Sequence, residues 1–189
     1  MLLEIRQLRK SFGSLKVADN LDLAVGRGDT VGIIGPNGAG KSTLFNLIAG
    51  SLKPDSGQIL LDGADITRLS AHQRCRAGIA RSHQIPQPFE KLTVFENCLV
   101  AAEFGRGGDR AGPADFVAGV LERTGLLGHA NRVAGTLTLL ERKRLEMARA
   151  LATEPRILLL DEIAGGLTEG ECRELVGTIR QLKIGRAHV

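Results

Sequence analysis

The fold is decided by the stretch Gly35-Pro36-Asn37-Gly38-Ala39-Gly40-Lys41-Ser42-Thr43. It fits the phosphate-binding loop pattern G-x-x-x-x-G-K-[ST]. The apolar run before it, residues 30–34, predicts a strand, and residues 44–49 after it predict a helix. Strand, loop and helix in this order are the context that the pattern requires.

The residue types of the loop explain its chemistry. Glycines allow positive φ angles, so the backbone can curl closely around a phosphate with its N–H groups pointing inward. Lys41 is long enough to reach the β- and γ-phosphates, and the Ser42 hydroxyl is a ligand that suits Mg²⁺. We therefore expect all nine residues, 35–43, to contact the nucleotide. The alternative is a glycine-rich turn without a ligand.

Composition excludes several classes of protein. The 189 residues, 43% of them hydrophobic, are enough for one domain with a sizeable core. A net charge of +4 without a basic run, together with six Phe and no Tyr or Trp, predicts no nucleic-acid partner. The longest apolar runs are too short to span a bilayer, and the N-terminus lacks a signal-peptide pattern. Three widely spaced cysteines predict inert thiols in a reducing cytoplasm.

Periodicity divides the chain into an α/β frame and a helical insert. Alternation over residues 2–8 and 17–25 predicts two strands, joined by a turn at 13–14, that form an antiparallel layer beside the nucleotide core. A further short strand is expected over residues 58–62. The character becomes helical over residues 92–151, interrupted by a glycine-rich loop at 105–113, and returns to a buried strand over 156–161.

A second nucleotide element follows from two acids. The apolar run 157–160 reads as a central parallel strand, and Asp161 and Glu162 follow at its carboxyl end, where open α/β sheets place their ligands. Asp161 would hold Mg²⁺ through water, and Glu162 would act as general base toward the attacking water. The alternative is a pair of solvated acids that end a strand.

With these elements the chain resembles the ATP-binding-cassette ATPases. Gln84, after Gly78-Ile79-Ala80-Arg81-Ser82-His83, matches the family's Q-loop, and residues 145–151 match the helix that follows its signature. Residues 78–89 and 92–97 look most like the ATPases of branched-chain amino acid importers. The resemblance implies an α/β P-loop NTPase fold with a mainly parallel sheet, an N-terminal antiparallel β layer and an inserted helical subdomain.

The resemblance also implies roles and partners. Phe12 matches the aromatic residue that stacks on adenine, and the alternative is a core Phe at a strand end. Gln84 would act in catalysis and would share the metal, Mg²⁺, with Ser42 and Asp161. ATP and Mg²⁺ are the implied cofactors. The implied partners are transmembrane permease subunits and a second ATPase subunit, identical or not, at the cytoplasmic face of the membrane.

The chain departs from the family pattern at two places. The family signature Leu-Ser-Gly-Gly-Gln corresponds to Leu137-Thr138-Leu139-Leu140-Glu141, in which leucines replace both glycines. Leucines would crowd a close backbone approach to phosphate, and Glu141 would add negative charge. Residues 161–167 match the family's approach to a segment called the D-loop. The position of the D-loop aspartate, directly after Leu167, holds Thr168.

The C-terminal residues give a further expectation. No strand and switch histidine follow residue 182, so residues 1–183 are expected to be an incomplete ATPase domain. Residues 183–189 can be back-translated into a common sequencing adapter, so 184–189 are expected to be a non-native tail. The expected function is ATP hydrolysis that energises an importer. The alternatives are a soluble cassette ATPase outside transport and a nucleotide-binding module with little turnover.

Overall fold

The computed structural model describes residues 1–82, 85–105 and 112–184, and it divides into two compact units, Met1–Arg74 and Cys75–Val189. Three expectations therefore fall wholly or partly outside the described residues. They concern Gln84, residues 106–111 of the glycine-rich loop expected at 105–113, and the tail after residue 184. No helix of the described residues is both long enough and apolar enough to cross a bilayer.

The first unit contains a four-stranded antiparallel sheet in the order β2-β1-β3-β4. Its strands are β1 (Leu3–Phe12), β2 (Leu15–Val25), β3 (Ser56–Leu61) and β4 (Ala64–Asp65). Leu3, Ile5 and Leu8 of β1 are buried, and the register shifts between Ile5 and Leu8, so all three reach the core face. The antiparallel layer predicted from residues 2–8 and 17–25 thus includes β3 as a third long strand.

Two helices belong to this part of the chain. Helix α1 (Lys41–Ala49) follows residues 35–40, which we call the glycine loop, and it buries Leu44, Leu47 and Ile48. The short α2 (Ala71–Arg76) spans the point at which the two units divide.

The strand expected over residues 30–34 is not formed, and this corrects the prediction. Among the described residues no strand pairs with this run, and Val31 and Ile34 are 47% and 98% exposed. An apolar sequence becomes a strand only when a neighbouring strand completes its hydrogen bonds. The apolar pattern was present, but the described residues provide no such neighbour.

The second unit is built around a helical core. Its helices are α3 (Val94–Phe104), α4 (Pro113–Arg123), α5 (Leu139–Ala152) and α6 (Glu169–Ile184). Val94, Val120, Leu121 and Leu145 are fully buried where α3, α4 and α5 pack together. The helical insert predicted over residues 92–151 therefore forms its own apolar core.

Two parallel strands lie beside this helical core. They are β5 (Ile79–Arg81) and β6 (Ile157–Leu159), with Arg81 opposite Leu159 in the register. This pair is the parallel part of the described sheets.

Of the three thiols, that of Cys98 lies in the surroundings that make a thiol inert. Cys75, Cys98 and Cys172 are free. Cys98 is fully buried on α3, and burial raises the pKa of its thiol to about 12. A thiol in this state stays protonated at neutral pH and is a poor nucleophile.

Candidate functional site

The glycine loop of the first unit ends directly in helix α1. Gly38 and Gly40 have φ angles of +83° and +85°, so both lie in the left-handed region that favours glycine. A turn within the loop is closed by the Ala39 N–H, which donates to the Pro36 carbonyl at 3.2 Å. Among the described residues no side chain caps the start of α1, and the first N–H groups of a helix can donate to a bound anion.

Gly40 is required by space as well as by backbone angle. A Cβ atom at this position would lie 2.5 Å from Cγ1 of Val17 and 3.0 Å from its carbonyl oxygen. The glycine therefore permits the loop to pack against β2 immediately before α1 begins. The close backbone approach to phosphate that the sequence pattern predicted is a different contact, and it stays a prediction.

Lys41 lies over its own loop. Its Nζ donates to the carbonyl oxygens of Gly35 at 2.7 Å and Pro36 at 2.8 Å. The ammonium group is thus held at the concave side of the loop, and phosphate oxygens can replace these two carbonyls as acceptors. Ser42, the next residue, is exposed with its hydroxyl at the helix start.

These residues fit a nucleoside triphosphate and a magnesium ion. The loop offers backbone N–H donors, one cation and one hydroxyl, which is the donor set that phosphates and Mg²⁺ select. The described residues contain no cluster of three or more His, Cys, Asp or Glu that would hold a metal by itself. Magnesium bound here would take phosphate oxygens and water as ligands beside a few side-chain oxygens, as is usual for this ion.

The two acids after β6 lie in opposite environments. Asp161 is 4% exposed, and Arg81 at the end of β5 donates from Nη2 to its Oδ2 at 2.9 Å. Glu162 is exposed and adopts φ +44°, while its carbonyl accepts from the Gly165 N–H at 3.0 Å. A buried carboxylate suits a cation ligand, and an exposed one suits contact with water.

The segment before Gln84 is tied to the same strand as the acids. Ser82 is buried, and its N–H donates to the Leu159 carbonyl at 2.9 Å, which extends the β5–β6 pairing by one bond. The role predicted for Gln84 stays a prediction.

The adenine contact predicted for Phe12 also stays a prediction. Its ring is 49% exposed and has Lys10 Nζ 5.6 Å from its centroid, so it is not a core residue.

The altered signature starts helix α5 with a capping box. The Thr138 hydroxyl accepts from the Glu141 N–H, and the Glu141 carboxylate accepts from the Thr138 N–H at 2.7 Å. Glu141 also pairs with Arg132 at 3.1 Å. The spacing Thr-x-x-Glu is itself a known signal of a helix start, and it could have been found in the sequence. Arg81 could not, because nothing in the sequence links it to Asp161.

A glycine loop that carries a lysine at the start of a helix defines the class of P-loop nucleotide-binding proteins. The family model for ABC transporters matches residues 18–165. The chain therefore belongs to the ABC transporter family, and it has the ATPase fold that the resemblance implied.

Individual relatives are similar over nearly the whole chain. The high-affinity branched-chain amino acid transport ATP-binding protein LivG of Escherichia coli K12 is 39% identical over 96% of this chain and 77% of its own. BraF of Pseudomonas aeruginosa, with the same description, is 38% identical over the same shares. The crystal structure of the ADP conformation of MJ1267, an ATP-binding cassette of an ABC transporter, has a TM-score of 0.86 and 31% identity. It covers 97% of this chain and 77% of that one.

Proposed function

We propose that this chain is the ATP-binding and ATP-hydrolysing subunit that energises a membrane importer for branched-chain amino acids. The observation that carries the proposal is the glycine loop with Lys41 Nζ held across it, 2.7 Å from the Gly35 carbonyl. The solute is assigned from the similarity to LivG and BraF, whose names state branched-chain amino acid transport.

Each group has a distinct task in hydrolysis. The loop N–H groups and Lys41 bind and orient the β- and γ-phosphates. Ser42, Gln84 and Asp161 are the proposed ligands of Mg²⁺, which neutralises phosphate charge when it is bound. Glu162 acts as general base and takes the proton from the attacking water. Its exposed side chain is accessible to that water. Phe12 offers a half-exposed ring on which adenine can stack.

Partners follow from the same proposal. The subunit would pair with a second ATPase subunit and dock on transmembrane permease subunits, which places it at the cytoplasmic face of the cell membrane. The permease would then select the solute, and this chain would supply energy.

The second candidate is a nucleotide-binding module with little turnover. It is favoured by the capping box at Thr138 and Glu141, because both side chains are used inside the chain to start α5. Comparison of ATP binding with ATP turnover separates the two functions. Binding with a turnover rate near zero would support the module, and turnover that rises with protein concentration would support a dimeric ATPase.

Lys41→Ala tests the nucleotide site directly. Removal of the cation should lower ATP affinity by about tenfold or more, which corresponds to about 1.4 kcal/mol. Lys53→Ala is the matched control, because Lys53 is an exposed lysine in an irregular segment of the same unit. The measurement is titration of a fluorescent ATP analogue. Equal affinity of the Lys41 variant and the unaltered chain would refute the phosphate-loop assignment.

A further inference from the structure

Arg81 and Asp161 form an ion pair that is mostly removed from water. Their side chains are 13% and 6% exposed, and Nη2 of Arg81 lies 2.9 Å from Oδ2 of Asp161. The sheet register produces the contact, because Arg81 is opposite Leu159 and Asp161 follows two residues later. The Ser82 N–H bond to the Leu159 carbonyl holds the two chain segments together just beyond the pair.

A carboxylate with this degree of burial requires a counter-charge. An ionised carboxylate without a partner in such surroundings carries a large desolvation cost. The guanidinium of Arg81 supplies that charge in the structure. A bound Mg²⁺ would also supply a counter-charge, and the metal would need an oxygen of the same carboxylate.

We propose that Arg81 competes with Mg²⁺ for Asp161 and thereby sets how strongly the metal promotes nucleotide binding. The inference rests on the proposed function, since it takes Asp161 as a ligand of the metal. The guanidinium donates to Oδ2 and so occupies a lone pair that a metal, or water on a metal, would use. It also places a positive charge beside the incoming cation. Arg81 therefore weakens metal binding at Asp161 for as long as it holds Oδ2.

The test measures how much Mg²⁺ strengthens binding of a slowly hydrolysed ATP analogue. The ratio of the dissociation constants without and with Mg²⁺ is determined for the unaltered chain and for Arg81→Gln. Two unit charges about 4 Å apart interact by about 1 kcal/mol in bulk water, so the ratio should rise by at least about fivefold in the variant. Arg123→Gln, which removes an exposed arginine side chain of helix α4, should leave the ratio unchanged.

The outcomes distinguish three interpretations. A ratio that rises in Arg81→Gln supports competition. A ratio that stays the same or falls overturns it, because an arginine that only orients Asp161 would help the metal. Asp161→Asn should reduce the ratio toward one. If Asp161→Asn leaves the ratio unchanged, or if the unaltered chain has a ratio of one, the assignment of Asp161 as a metal ligand fails.

A measurement on the unaltered chain covers the case in which Arg81→Gln does not fold. The Nε–H resonance of Arg81, assigned by its loss in Arg81→Lys, reports the environment of the guanidinium. The analogue with Mg²⁺ should shift this resonance and speed its exchange with water, and the analogue alone should not. Equal spectra with and without Mg²⁺ would overturn the proposal.

Discussion

At the scale of single residues, Glu162 carries the most unusual backbone of the candidate site. Its φ of +44° lies in the left-handed region, where a side chain with a Cβ costs about 1–2 kcal/mol. The same residue is exposed, whereas its neighbour Asp161 is buried. Left-handed backbone at such a position turns the chain sharply after β6, so the two acids face different surroundings. Strain of this kind is often found at functional sites.

Glu162→Gln should separate binding from chemistry. The amide keeps the shape of the side chain but cannot accept a proton, so hydrolysis should drop by about 10²-fold or more. Affinity for Mg-ATP should stay within about twofold, since the phosphate contacts belong to the loop. Single-turnover hydrolysis and analogue titration measure the two effects. Glu169→Gln is the control, because it removes a highly exposed acid of helix α6. Hydrolysis at the unaltered rate would exclude Glu162 as the base.

Where a local pattern specifies them, individual candidate residues could be named from the sequence, and their roles stay predictions. The loop glycines, Lys41 and the two acids were identified from spacing, because phosphate binding fixes residue types over a few consecutive positions. Arg81 was not identified. Its contact with Asp161 joins positions that are far apart in the chain, and only the register of two parallel strands brings them together.

At the scale of elements, helix α1 depends on one buried arginine at its C-terminal end. Nη1 of Arg74 donates to the carbonyls of Leu47 at 2.5 Å and Ile48 at 2.9 Å. Its other nitrogens donate to Thr67 at 2.8 Å and Leu69 at 3.2 Å. The bonds to Leu47 and Ile48 are buried, so these two carbonyls at the helix end would lose their donor without Arg74. Burial also lowers the pKa of the guanidinium. Arg74 therefore joins the helix that follows the glycine loop to the chain after β4.

Arg74→Met should destabilise the first unit. Methionine fills a similar volume but leaves several carbonyls without donors, and the expected loss is about 3 kcal/mol of unfolding free energy. Arg76→Met is a matched control, because Arg76 is an exposed arginine on the same short helix. Urea unfolding followed by circular dichroism measures both variants. A midpoint for Arg74→Met that equals the control would show that water replaces the arginine without cost.

Long periodic elements were predicted, and so were the short strands β3 and β6, which adjoin turn residues or the two acids. The sequence pattern found β2 and α5, because their apolar positions repeat along most of each element. It missed α2 and β5, which have six and three residues. Elements this short have too few positions to display a period, and tertiary pairing determines them. The run at 30–34 is the converse case, in which an apolar pattern lacks a partner in the described residues.

At the scale of the whole molecule, the two halves of the predicted chemistry belong to different compact units. The glycine loop and α1 lie in Met1–Arg74, and Asp161 and Glu162 lie in Cys75–Val189. Each unit has its own apolar core, and each motif could be predicted because it is local to one unit. The extent of the parallel sheet could not be predicted, because it depends on pairing between distant segments. In the described residues that pairing is limited to β5 and β6.

The unpaired run at 30–34 gives a prediction for the whole chain. Its backbone N–H groups have no strand partner among the described residues, so they should exchange with solvent at rates typical of loops. The amides of β1, which pairs on both sides with β2 and β3, should be strongly protected and serve as the internal control. Hydrogen exchange read by mass spectrometry on the 189-residue chain measures both segments in one experiment. Protection of 30–34 equal to that of β1 would contradict the prediction and would require a strand partner. If that protection disappeared on dilution, the partner would be a second copy of the chain, as expected for an apolar run with open hydrogen-bonding groups.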